Sequence, residues 1–156
     1  MARRTKAAPR IRKKFTRFHL QIKRSRIHRN GVFALEEIPA RMFVIEYAGE
    51  RISHPEARRR YGSRPEARRR KPTYLFQLNP RRVIDGAVRG SGAEIINHSC
   101  DPNLRARIRR GRVLLWSERR ILPGEELAID YKFSKTLPKV TCHCGSPKCR
   151  GAMNKK

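Results

Sequence analysis

Acidic residues are scarce in this chain of 156 residues: 13 Asp and Glu stand against 39 Lys and Arg, and the formal net charge is +26. The basic excess runs the whole length rather than gathering in one tail, which favours an intracellular protein that meets polyanions, nucleic acid foremost. Long apolar runs are missing as well. None exceeds four residues, so no segment is expected to span a bilayer. The basic start MARRTKAAPRIRKK lacks the apolar stretch of a secretory signal, and the expectation is a soluble, unprocessed chain with no membrane partner. Hydrophobic residues make up 38% of the chain, thin but enough for one core, so a single domain with basic ends is expected.

Cysteine is equally sparse, with four in all. In a basic intracellular chain four thiols read more naturally as metal ligands than as disulfides. Cys142, Cys144 and Cys149 fall within the stretch CHCGSPKC, where Gly145 and Pro147 supply tight turns, and Cys100 stands alone in IINHSCDPN. Three clustered thiolates and a fourth from a distant loop make the closed tetrahedral set of a structural zinc. Free buried thiols, or His143 in place of one cysteine, are the other readings. Under the zinc reading Cys100 is a ligand rather than a nucleophile activated by His98, and the metal pins the C-terminal tail to the NHSC loop.

Helical periodicity is rare. Phe15, Phe18, Leu20 and Ile22 alternate loosely where a first strand begins. Short apolar segments then recur at 32–35, 42–47, 74–78, 82–85, 113–116 and 126–130, and LRARIR at 104–109 alternates apolar with basic ahead of the turn residue Gly111. These predict a mostly β domain. The exception is 51–73, where the unit PEARRR occurs twice, with Pro55 and Pro65 suited to a helix's first turn and Glu56 and Glu66 to its positive end. One or two short basic helices inserted between strands are expected, or else a solvated arginine-rich loop.

Four separated pieces, SRIHRNGVFA (25–34), EYAGE (46–50), INHSCDPN (96–103) and GEELAIDY (124–131), precede the cysteine cluster. In this order the chain resembles the SET-domain protein-lysine methyltransferases with a C-terminal post-SET cysteine module. The resemblance covers residues 17–151 and divides the chain into a basic tail (1–16), a SET domain (17–134) and a post-SET segment (135–156). It implies a fold of several small β sheets, with a pseudoknot formed by the NHSC strand and the segment ending in Tyr131. It also implies S-adenosylmethionine as cofactor, one structural zinc, and a lysine substrate entering through a channel on the opposite face. Positions matching the cofactor site are Arg29, Asn30, Gly31, Phe33, Tyr47, Asn97, His98, Tyr131 and Phe133. Tyr131 matches the essential tyrosine, assisted by Tyr74 and Tyr47, and Tyr47, Tyr74 and Ile129 match the lysine channel. The implied substrate is a basic, DNA-associated protein of the histone kind, met on DNA that the PEARRR segment and the N-terminal tail contact.

Three positions depart from the family. Arg29-Asn30-Gly31 replaces Gly-x-Gly, and arginine is costly if that first position needs a positive φ. Glu94 stands where many members carry an arginine, and Ile129 where they carry Phe or Tyr, which predicts a roomier channel end and di- or trimethylation. Two other functions compete. One is a non-catalytic chromatin or nucleic-acid module that keeps the fold and zinc, and the other is self-modification at Lys6 in the histone-like string ARRTKAAPR.

Overall fold

The chain was analysed as a computed structural model, which describes residues 8–62 and 73–155. Strand β1 (Leu20–Arg24) and strand β2 (Asn30–Ala34) pair antiparallel from Leu20↔Ala34 to Arg24↔Asn30, so the alternation of Leu20 with Gln21 and Val32 with Phe33 sends one face to the core. Strands β3 (Phe43–Tyr47) and β4 (Glu50–Ser53) follow, then helix α1 (His54–Tyr61), β5 (Leu75–Gln77) and β6 (Arg82–Asp85). The chain continues through β7 (Asn97–His98), β8 (Leu104–Arg109), β9 (Arg112–Ser117) and β10 (Glu126–Ile129). Three small sheets result, ordered β1-β2-β10-β7, β3-β9-β8 and β4-β6-β5. They close around Val32, Ala34, Ile38, Val44, Ile45, Val113, Leu115, Ile121 and Leu127, all fully buried.

The mostly β expectation holds, and each apolar segment read from the sequence carries a strand. In the first sheet β10 runs antiparallel to β2 and parallel to β7, through Ala128↔Asn97 and Ile129↔His98. The NHSC segment and the segment leading to Tyr131 therefore lie side by side. Asn103 locks the arrangement, its Nδ2 donating to the Glu126 carbonyl at 2.9 Å while its Oδ1 accepts from the Ala128 N–H at 2.9 Å.

Two expected boundaries move. Residues 51–53, assigned to the basic insert, belong to β4 and pair with β6, because Ile52 alternates with exposed neighbours and is buried opposite Val83. The helix starts only where Ser53 accepts from the Glu56 N–H and Pro55 enters the first turn, and it stops at Gly62 with φ 81°. The second PEARRR copy and Lys6 lie outside the described residues. The other shift concerns the segment assigned as a basic tail through residue 16. From Ile11 onward it is docked. The Arg12 N–H and guanidinium donate to the carbonyls of Ser91 and Arg89 at 2.9 and 3.0 Å, and Arg17 N–H donates to Val44 at 3.0 Å. Gly92 makes room for this docking, since a Cβ there would lie 2.6 Å from Ile11 Cδ1.

Apolar burial does little for α1, whose buried residue is Ala57. Its anchor is the fully buried Asp85 carboxylate, which accepts from the Tyr61 hydroxyl at 2.8 Å, the Arg60 guanidinium at 3.1 Å and the Ala87 N–H at 3.1 Å. Removing one member of such a buried set strands the others. Asp85→Ala is expected to cost about 3 kcal/mol in urea unfolding and to expose α1 to protease, whereas a change below about 0.5 kcal/mol would mean the helix is held otherwise.

Candidate active site and metal centre

Asn97 organises the site. Buried on β7, its Nδ2 lies 3.1 Å from Ser25 Oγ, 3.2 Å from the His28 carbonyl, 3.0 Å from the Asn30 carbonyl and 2.8 Å from Glu126 Oε1. Ser25 in turn donates to the Glu126 carboxylate at 2.8 Å and accepts from the Ile27 N–H at 2.9 Å. The 25–30 loop is thereby fixed against β7 and β10. A Cβ at Gly31 would meet Glu126 Oε1 at 2.1 Å, so a larger residue there would have to displace the carboxylate that Asn97 and Ser25 hold. Arg29 has φ 44°, the left-handed region, so the suspected cost of arginine at this position is real, while Asn30 is already in β2. Phe33 shares with Gly31 the face opposite the buried Val32, where Lys23 Nζ lies 4.3 Å over its ring.

The three tyrosines converge. The Tyr47 hydroxyl, on β3, donates to the Tyr74 carbonyl at 2.7 Å, and the Tyr131 hydroxyl donates to the Ile96 carbonyl at 2.8 Å. Burial raises the pKa of both hydroxyls, with smaller pushes on Tyr47 from Glu94, Tyr131, Asp85 and Tyr74, and on Tyr131 from Tyr74 and Glu126. Both stay neutral phenols at any working pH. Phe76, not singled out from the sequence, packs on Tyr47 with ring centroids 5.1 Å apart; its place two residues after Tyr74 in an alternating strand was the available signal. Tyr131 stands between His98 (5.3 Å) and Phe133 (5.5 Å), while Ile129 is buried on β10 beside His98.

His98 is buried, and desolvation lowers its pKa. Its Nδ1 accepts the Tyr131 N–H at 3.1 Å, so the proton of the neutral ring sits on Nε2, 3.4 Å from Cys100 Sγ. The imidazole thus links the tyrosine backbone to the cysteine cluster and is not free as a base. Its 3.6 Å approach to Asp130 is not an ion pair. Asp130 instead takes the Arg150 guanidinium at 2.7 and 3.1 Å. Arg150 is held between Asp130 and the Asn154 carbonyl.

The glutamate that departs from the family is accommodated. Glu94 accepts from the Gly92 N–H at 2.8 Å, and burial raises its pKa against the opposing pull of that N–H and of Arg12. The docked N-terminal segment supplies the neighbouring cation.

The sulfurs of Cys100, Cys142, Cys144 and Cys149 all lie within 4.8 Å of one another, with Cys100 3.6 Å from Cys142 and 4.0 Å from Cys149. Four sulfurs about 2.3 Å from a central zinc stand about 3.8 Å apart, so the set fits a tetrahedral ion. Main-chain N–H groups of Cys144 and Gly151 each point at a sulfur of the set at 3.4 Å, an arrangement that would stabilise thiolate charge on a bound metal's ligands. His143 is exposed and outside the set. Beside the cysteines lies a cleft of about 520 Å³ lined by Cys100, Asp130, Lys132, Lys148, Arg150 and Lys155.

Residues 29–132 match the family model described as the SET domain. The chain belongs to the SET-domain family. It is 40% identical over 142 residues to the histone-lysine N-methyltransferase, H3 lysine-4 specific, of Saccharomyces cerevisiae, covering 84% of this chain and 13% of that protein. It is likewise 40% identical over 138 residues to the Schizosaccharomyces pombe protein of the same name, covering 83% and 14%. Against the histone-lysine N-methyltransferase TRX1 of Oryza sativa it is 40% identical over 146 residues, covering 88% and 14%. The chain thus spans about a seventh of the length of these relatives. The four cysteines fit the post-SET module that follows a SET domain, and among the described residues no helix is long and apolar enough to cross a membrane.

Metal analysis of the purified protein is expected to give one zinc per chain. Cys149→Ser should lose it and release the segment beyond residue 138 to limited proteolysis, whereas retention of full zinc by that variant would remove Cys149 from the ligand set. Asn97→Ala, which unties the 25–30 loop from β7 and β10, should cost about 2 kcal/mol in urea unfolding.

Proposed function

We propose that the protein is a protein-lysine methyltransferase, moving a methyl group from S-adenosylmethionine to the side-chain amine of lysine in a basic, DNA-associated protein of the histone kind. The observation that carries this reading is the convergence of Tyr47, Tyr74 and Tyr131 next to the Asn97-His98 segment. The Tyr131 and Phe133 rings offer an aromatic surface to a purine, and the exposed Arg29 offers a cation to a carboxylate. When bound, S-adenosylmethionine supplies a methyl group on a positively charged sulfur. The four cysteines would hold one structural zinc and keep the tail against the NHSC segment.

The chain's own residues have the remaining work. A lysine amine attacks only as its free base, and in water it holds its proton up to a pKa of about 10.4. A buried aromatic pocket favours loss of that proton through desolvation. The Tyr131 and Tyr47 hydroxyls each donate their one hydrogen bond to a main-chain carbonyl, which leaves oxygen lone pairs to accept from the amine and fix its line of attack. His98 holds the Tyr131 main chain through Nδ1, and Tyr74 and Phe76 wall the channel. Ile129 in place of a larger aromatic leaves room for more than one methyl group, so di- and trimethyl-lysine are the expected products. The competing non-catalytic module draws on the strained Arg29 in the cofactor loop.

Transfer of labelled methyl from S-adenosylmethionine to core histones, with and without DNA, tests the reading. Tyr131→Phe should reduce it at least 100-fold with the fold retained, while no transfer and no cofactor binding by calorimetry would favour the non-catalytic module. The rate should rise about tenfold per pH unit below the amine pKa. No descending limb from Tyr47 or Tyr131 is expected, since both hydroxyls titrate above their ordinary range. Ile129→Tyr should shift products toward monomethyl-lysine by mass spectrometry; an unchanged product pattern would remove residue 129 from product control.

A further inference from the structure

The hairpin of β8 and β9 carries a concentration of arginine that methyl transfer does not use. Directly paired residues point to the same side of a sheet. The registers Arg105↔Trp116, Arg107↔Leu114 and Arg109↔Arg112 therefore set Arg105, Arg107, Arg109 and Arg112 on the face opposite the buried Val113 and Leu115. Arg110 occupies the turn, and Arg51 reaches it from β4 by donating to the Gly111 carbonyl at 2.6 Å. Six guanidinium groups thus meet two carboxylates: Glu118, which takes Arg105 at 2.9 Å, and Glu46, which takes Arg112.

Two features of the hairpin work against its own stability. Arg109 stands opposite Arg112, and like charges directly across an antiparallel pair repel. The turn Arg110-Gly111 has positive φ at both residues, 49° and 69°, the signature of a tight hairpin turn that Asn-Gly fills best. Arginine at the first of these positions costs energy that asparagine avoids. Charged residues on an edge strand deter unwanted pairing. That purpose accounts for β8, which is the outer strand of its sheet, but not for the cations at Arg110, Arg112 and Arg51. A polyanion relieves the repulsion and gives the strained arginine a purpose.

We infer that the outer face and turn of the β8–β9 hairpin, through Arg107, Arg109 and Arg110, form a docking surface for the phosphate backbone of duplex DNA. Along β8, Arg105, Arg107 and Arg109 recur about every 6.8 Å, a spacing that lets neighbouring guanidinium groups engage neighbouring phosphates of one strand. The surface favours a duplex over unpaired bases because its one large aromatic is already covered. Arg107 lies 5.4 Å over the Trp116 ring, and Phe43 packs edge-on at 6.2 Å, so a base would have to displace the guanidinium to stack on that face. The inference deepens the DNA-associated part of the proposed function, and its test does not depend on catalysis.

Binding of a fluorescent DNA duplex, followed by anisotropy from low to moderate salt, decides the matter. Each phosphate contact contributes about 0.9 to the slope of log K against log salt. Arg107→Gln/Arg109→Gln should flatten the slope by about 1.8 and weaken binding at least tenfold at low salt. The control Arg81→Gln/Arg82→Gln removes the same charge from exposed positions near β6 and should change either quantity far less. Equal effects from both pairs would mean that DNA is held diffusely by net charge, and the inference would fail. Arg110→Asn should bind DNA more weakly while unfolding at higher temperature, a combination that general loss of structure does not produce. Tighter or unchanged binding by Arg110→Asn would overturn the role of the turn. Poly-glutamate or duplex RNA competing as well as duplex DNA would overturn the choice of partner. Methyl transfer to free histone should be the same in all these variants, so a failed methyltransferase assay and a failed DNA assay are separate results.

Discussion

The two-residue parallel pairing of β7 with β10 is the constraint on which the site depends. Ala128 faces Asn97 and Ile129 faces His98, and this short contact joins two chain segments about thirty residues apart. Much of the candidate chemistry hangs from it. Asn97 reaches back to the 25–30 loop, His98 reaches across to Tyr131, and Cys100, two residues beyond the strand, reaches the tail, so four consecutive residues address three parts of the fold. A pair so short has few ladder bonds. It persists because Asn97, His98 and Ser99 are buried with partners made, and breaking it would strand several polar groups at once.

The shortage of acid imposes a second economy. Each carboxylate among the described residues has an ionic or hydrogen-bond partner, and many tie distant segments together. Glu126 joins β10 to the 25–30 loop, Asp85 holds α1, Glu94 meets the N-terminal segment, and Asp130 fastens Arg150 of the tail. Few are left to neutralise the outer surface. The same scarcity that makes the chain basic thus concentrates its negative charge at structural joints and leaves the exposed cations uncompensated.

Much of this was legible in the sequence because it rests on local pattern. Alternation located the strands, Pro55 and Glu56 located the helix start, and cysteine spacing located the metal set. Tyr131, Tyr74 and Asn97 were singled out from motifs, and the fold brings the tyrosines together beside the NHSC segment. What escaped depends on partners remote in the chain. Strand β4 is only four residues long and reads as loop until β6 lies beside it. The docking of Ile11 and Arg12 requires the surface around Gly92, and the pairing of Arg150 with Asp130 requires the tail to fold back. No periodicity announces such contacts.

Backbone conformation gives the same account of charge from another direction. Among the described residues five non-glycine positions take positive φ, namely Arg29, Arg41, Arg89, Arg110 and Lys132, and all five are cationic. Left-handed geometry costs a residue with a Cβ roughly 1–2 kcal/mol, and glycine or asparagine would avoid most of it. Glycine serves at Gly92, Gly111, Gly124, Gly145 and Gly151, so the fold has no general objection to it. Long cationic side chains offer nothing to the left-handed backbone itself, and among the described residues none of the five is offset by a carboxylate salt bridge. Retaining them makes sense only if the charge they carry outward is worth more than the strain they hold inward. Positive charge is then a property the fold accommodates at a cost to its own stability.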